Sequence, residues 1–153
     1  MLKENSKAPD FELLDENGKL HKLSDYFGTP LVLYFYPKDD TLGCTAEACS
    51  FRDDYSAFEK SKTKIIGVSP DSVASHKKFK EKYVLPFPLL SDAQHTVAEQ
   101  YGVWVEKKVR GKKSMGILRT TFLIDRNGNI AKVFAGVKPS EHSKEVLEAL
   151  QSL

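Results

Sequence analysis

The sequence predicts an α/β fold, with an N-terminal β-hairpin and a central mixed sheet flanked by helices. Three observations carry that reading. Two continuous apolar runs, "LVLYFY" (Leu31–Tyr36) and "KIIGVS" (Lys64–Ser69), have the unbroken hydrophobicity of strands buried on both faces. The segment between them carries apolar residues at helical spacing. The last third reads strand, turn, strand, helix. Strands separated by helices imply right-handed crossovers and a sheet covered on both sides. A chain of 153 residues is expected to form one domain, residues 1–153, large enough to bury a core without disulfide or metal staples.

Each element has a local reason. "FELLDENGKLHKLSDYFG" reads as a short hairpin with Asn17-Gly18 at its turn. The Leu31–Tyr36 strand stops at Pro37, which has no N–H to give a sheet. A helix is expected from about Gly43 to Lys60, with Cys44, Ala48, Phe51, Tyr55 and Phe58 on one face. After the Lys64–Ser69 strand, Asp71 is placed to cap a helix from about Ser72 to Tyr83. A short helix follows Asp92 and ends near Gly102. "TTFLID" (120–125) and "IAKVFAG" (130–136) are strands joined through Asn127-Gly128. Pro139 suits the first turn of a last helix, whose apolar face holds Val146, Leu147 and Leu150. A β-β-α ending after a β-α-β unit is the thioredoxin-like arrangement.

Composition narrows the function classes. A net charge of +2 is too small a basic excess for a nucleic-acid domain. No apolar run is long enough for a membrane span, and "MLKENSKAPDF" lacks the apolar centre of a signal peptide. The expected setting is cytoplasmic, where thiols stay reduced and a disulfide is transient rather than structural. The basic stretch "EKKVRGKK" (106–113) reads as a solvated hairpin or loop. Tyr101 and Trp104 read as packing residues. His21, His76, His95 and His142 have no metal-ligand spacing and are assigned no role.

The chemistry concentrates in "TLGCTAEACS" (41–50), which holds both cysteines, Cys44 and Cys49. It follows the first buried strand, and in open α/β sheets sites gather beyond the carboxyl ends of strands. Cys44 falls in the first turn of its helix, where free N–H groups and the helix dipole favour an anion, hence a thiolate. Thr41 lies close enough in a tight loop for its hydroxyl to approach the sulfur, or to cap the helix. Pro37 is placed to exclude water. Glu47 suits the helix dipole, or an orienting contact to an arginine or a loop amide. Five residues of α-helix separate two Cα atoms by about 8.6 Å, beyond the roughly 7 Å that a disulfide spans. The two cysteines are therefore either unrelated or a redox pair that joins only when the helix start unwinds.

"YPKDDTLGCTAEACSFRD" (36–53) closely resembles the active-site segment of peroxiredoxins, in particular the peroxiredoxin Q or bacterioferritin comigratory protein group. The motif Pro-x-x-x-Thr-x-x-Cys is present as Pro37, Thr41 and Cys44. "KAPDFEL", "IIGVSPDS", "YGVWVEKK" and "MGILRTTFLID" extend the resemblance over nearly the whole chain. It implies a thiol-dependent peroxidase for hydrogen peroxide and organic hydroperoxides. Cys44 would be the peroxidatic cysteine and Cys49 the resolving cysteine, closing an intrachain disulfide. Arg119 would hold thiolate and peroxide, Thr41 would orient the peroxide, and Pro37 would shield the sulfur. Thioredoxin or a similar dithiol would recycle the enzyme, which is expected to act as a monomer without cofactor, nucleic acid or membrane. The chain departs from many members at Leu42, where they carry proline, and a looser loop is expected. A thiol–disulfide oxidoreductase and a redox-switched sensor or holdase on the same fold are the alternatives. The first would favour a CxxC pair, which is absent.

Overall fold

The computed structural model describes residues 2–153. Its main sheet has seven strands: β1 (Glu12–Leu14), β2 (Leu20–Lys22), β3 (Leu31–Phe35), β4 (Lys64–Ser69), β5 (Leu89–Ser91), β8 (Thr120–Ile124) and β9 (Ile130–Ala135). Their spatial order is β2-β1-β5-β4-β3-β8-β9. The strand β3 lies parallel to β4 and antiparallel to β8, and β4 is parallel to β5, so the sheet is mixed. Between β5 and β8 a separate two-stranded ribbon forms from β6 (Trp104–Val109) and β7 (Lys112–Ile117).

The pleat of β3 divides the core. Leu31, Leu33 and Phe35 face one apolar layer with Phe11, Tyr101 and Phe122. Val32, Tyr34 and Tyr36 face the other, with Cys44, Phe51, Phe58, Phe79 and Val146. All five β3 residues are buried, as a continuous apolar run requires. The second layer is roofed by α1 (Leu42–Asp53), α2 (Tyr55–Lys60), α3 (Val73–Tyr83) and α5 (His142–Leu150); α4 (Thr96–Gln100) sits with the first.

Both tight turns use the same chemistry. In the first, Asp15 Oδ1 accepts from the N–H groups of Asn17 and Lys19, with Gly18 at φ +75°. In the second, Asp125 Oδ1 accepts from Asn127 and Asn129, with Gly128 at φ +84°. Glycine takes the left-handed position that a Cβ would strain.

Three expectations are corrected. The helix expected over 43–60 is two helices. Asp54 breaks it with φ −100° and ψ 11°, and its carboxylate is held by Ser143 Oγ at 2.6 Å. The third helix is capped by Ser72, whose Oγ accepts from Ser75 N–H, while Asp71 Oδ2 accepts from Asp39 N–H at 2.6 Å. The strand β5 was not anticipated: three residues after two prolines give no readable period. The 106–113 stretch forms the β6–β7 hairpin, with Trp104 stacked on His95 at 4.0 Å.

Candidate active site

The site forms where β3 ends. Tyr36 is buried, Pro37 half-buried, and the loop 38–41 turns into α1. That loop is strapped to α3. Asp39 accepts from Tyr36 Oη at 2.6 Å and Ser75 Oγ at 2.7 Å, and it meets His76 Nδ1 at 2.6 Å. The other His76 nitrogen meets the Leu90 carbonyl at 2.9 Å. A carbonyl only accepts, so Nε2 carries a proton there. Next to it, Asp40 takes the left-handed conformation at φ +56° and binds Lys82 and Tyr83 Oη, both at 2.7 Å. Two histidines given no role by their sequence positions thus have structural ones. His76 anchors this loop, and His142 Nε2 meets Thr121 Oγ1 at 2.6 Å beneath α1.

Cys44 is the third residue of α1 and is 1% exposed. Arg119 reaches it across 75 positions of sequence: Nη2 donates to Sγ at 3.2 Å. The sheet register explains this reach. Thr120 pairs with Phe35, so the residue before β8 comes to the end of β3, beside the loop that carries the thiol. The other arm of the guanidinium, Nη1, donates to Glu47 Oε1 at 2.7 Å. Glu47 is fully buried and its second oxygen, Oε2, has no partner among the described residues. Burial pushes its pKa up to about 7, against the pull of Arg119. Burial also works against the Arg119 charge, but Glu47 and Cys44 more than offset it, and its pKa is raised.

Gly43 is what allows this approach. A Cβ there would stand 3.1 Å from Arg119 Nη2 and 3.8 Å from Pro139 Cγ. Sequence reading had no means of finding it, because a missing side chain matters only once its neighbour is known. Of the two readings open for Glu47, the arginine contact is the one formed.

Thr41 stands at the N-cap position of α1, but its side chain caps nothing; it is exposed, and Oγ1 donates to the Lys38 carbonyl at 2.9 Å. This differs from the expected approach to the sulfur. The loop closes on itself, which spends the hydroxyl proton and leaves its lone pairs outward. Cys49 lies within the same unbroken helix, half-buried, and both cysteines are free. Burial pushes the Cys49 thiol up. Leu42, at the first helical position, is 92% exposed.

A buried thiol at a helix start, bound by a guanidinium on a thioredoxin-like sheet, defines the thiol-peroxidase class. The chain belongs to the AhpC/TSA family, whose sequence profile matches residues 5–133. Within it the relatives are peroxiredoxins of the Bcp and peroxiredoxin Q group. Peroxiredoxin Bcp of Bacillus subtilis is 53% identical over 96% of this chain and 94% of its own length. Chloroplastic peroxiredoxin Q of Oryza sativa subsp. japonica is 44% identical over 97% of this chain and 66% of its own. Among solved structures, peroxiredoxin Q of Xanthomonas campestris superposes with a TM-score of 0.89 at 39% identity, covering 93% of this chain and 90% of that one. The chain is thus a peroxiredoxin, a thiol-dependent peroxidase.

Proposed function

We propose that Cys44 is the attacking thiolate and Cys49 the thiol that resolves it. The observation that carries this is the fork of Arg119, one arm on Cys44 Sγ at 3.2 Å and the other on Glu47 at 2.7 Å. A charged, bidentate group fixed beside a buried sulfur favours the anionic form and faces the oxygen on which charge grows. The Cys44 thiolate attacks one peroxide oxygen and the O–O bond breaks. The leaving oxygen takes a proton and departs as water or an alcohol. Cys44 is left as a sulfenic acid. The Cys49 thiol then displaces that hydroxyl as water and closes the S–S bond. A dithiol reductant of the thioredoxin kind reopens it by exchange.

In this mechanism Thr41 positions the substrate. Its proton is engaged by Lys38, so its oxygen accepts from the peroxide O–H. Pro37 shields the sulfur from water. One relative, the bacterioferritin comigratory protein of Xanthomonas campestris, is described for alkyl peroxide reduction; at 39% identity it supports organic hydroperoxides as substrates here beside hydrogen peroxide. Two free thiols fit a monomer working in a reducing, cytoplasmic setting.

The test is mass spectrometry after one equivalent of peroxide. A Cys44–Cys49 disulfide in the wild type and a sulfenic acid on Cys44 in Cys49→Ser are expected. Oxidation that settles first on Cys49, or full turnover by Cys44→Ser, would overturn the assignment.

A further inference from the structure

The hairpin that reads as solvated in sequence hides one basic residue. Lys108, Arg110, Lys112 and Lys113 are exposed, but Lys107 is half-buried. Its strand alternates so that Val105 and Lys107 share a face with their partners Gly116 and Ser114. The Lys107 side chain is laid along the ribbon over Gly116. A Cβ on Gly116 would stand 3.2 Å from its Cδ, 3.5 Å from Cε and 3.8 Å from Nζ. Gly116 is three residues before Arg119. The charged groups that act on the Lys107 ammonium are Arg119, which opposes its charge, and Cys44, which supports it; burial opposes the charge most strongly.

Charge balance gives this placement a purpose. The groups facing the sulfur and its arginine are Glu47 from α1, Tyr34 from β3, His142 from α5, and Lys107 from β6. Tyr34 is neutral, since burial holds its phenol well above the ordinary range. His142 is pushed toward its neutral form by burial. With Cys44 as thiolate and Glu47 ionised, Arg119 alone leaves the site with one uncompensated negative charge in a partly dry environment. An unpaired buried charge is costly. One further cation closes the balance.

We propose that Lys107, seated in the gap left by Gly116, is the second cation of the thiolate site, an electrostatic positioning residue acting beside Arg119. This rests on the reading of Cys44 as the attacking thiolate. Glycine at 116 gives the lysine stem room to lie down, and the lysine supplies the charge that Glu47 withdraws from the arginine.

The experiment uses the full reduced chain with Cys49→Ser as background, so that Cys44 is the only thiol. The rate of iodoacetamide alkylation is followed against pH, with no peroxide or reductant present. Lys107→Met is expected to move the half-maximal pH upward by about half a unit to one unit, the size of effect one nearby charge exerts. Its reaction with hydrogen peroxide at pH 7 should slow by about three- to tenfold, matching that shift. Lys107→Arg should stay close to the parent. Gly116→Val keeps the lysine but fills its seat; Gly116 is not in the positive-φ region, so the strand accepts valine. It should move the profile the same way and add nothing to Lys107→Met. An unmoved profile in Lys107→Met, or Lys107→Arg behaving like Lys107→Met, would overturn the proposal. The reading of Cys44 as nucleophile fails separately, by peroxide turnover in Cys44→Ser.

Discussion

Cys44 and Cys49 stand on one helix, five residues apart, in opposite surroundings. The first is 1% exposed, packed among Tyr34, Ala48 and Phe51, and bound by a guanidinium. The second is half-buried, its thiol pushed up by burial, with Arg52 only partly countering. The residue type is the same, so neighbours make the difference. A helix start, a distant arginine and a glycine that admits it prepare one sulfur for attack, while the other waits as a thiol. The helix between them keeps the two states apart, because an intact α1 holds their Cα atoms beyond disulfide reach, at about 8.6 Å.

The largest expected effect separates the two thiols. Cys44→Ser should lose peroxide turnover by about three orders of magnitude or more, as loss of a nucleophile does. Cys49→Ser should complete one reduction and then stop with thioredoxin as reductant. Stopped-flow peroxide consumption over the first and later turnovers distinguishes them, and equal losses at both steps would erase the contrast.

Next comes the arginine. Arg119→Met should slow peroxide reduction by about 10²-fold, the usual cost of one donor at a developing charge. Gly43→Val, which drives a side chain at Nη2 3.1 Å away, should act in the same direction by about tenfold. Neither should slow alkylation of Cys49.

Glu47 gives a smaller effect with a defined pH window. Burial raises its pKa from 4.5 to about 7, so the folded protein binds the extra proton between those values. Its stabilising contribution is complete below about pH 4.5 and is lost as pH rises through about 7, by a few kcal/mol. Glu47→Gln should remove that decline from urea midpoints measured between pH 5 and 8. An unchanged slope would show that Glu47 does not titrate there.

The smallest effect belongs to Leu42. It is 92% exposed at the first helical turn, after Thr41 in extended backbone at φ −92° and ψ 160°, which suits a following proline. Leu42→Pro should stabilise the reduced protein by about 0.5–1 kcal/mol. It should slow Cys44–Cys49 closure by a few-fold, because a stiffer helix start unwinds less readily. Faster closure would contradict that link.

Legibility followed distance along the chain. Pro37, Thr41, Cys44 and Cys49 share one stretch of thirteen positions, so helix geometry and motif spacing expose them together. Arg119 entered only through resemblance, since nothing local tells an arginine before a strand that the register of Thr120 with Phe35 delivers it to a thiol. The turns at Asn17-Gly18 and Asn127-Gly128 were readable because their chemistry is contained in five residues. The strap of Asp39 onto His76 was not, because its partners lie 37 positions apart on different elements. The break at Asp54 escaped for the same reason: Ser143, which holds it, is 89 positions away.

Hydrogen exchange across residues 41–53, compared between the reduced protein and the Cys44–Cys49 disulfide, tests the central claim most directly. Protection should be present in the reduced form and lost in the oxidised form over the helix start, with the β3 amides unchanged. Equal protection across 41–53 in both forms would contradict it, since the disulfide would then have formed without the helix opening.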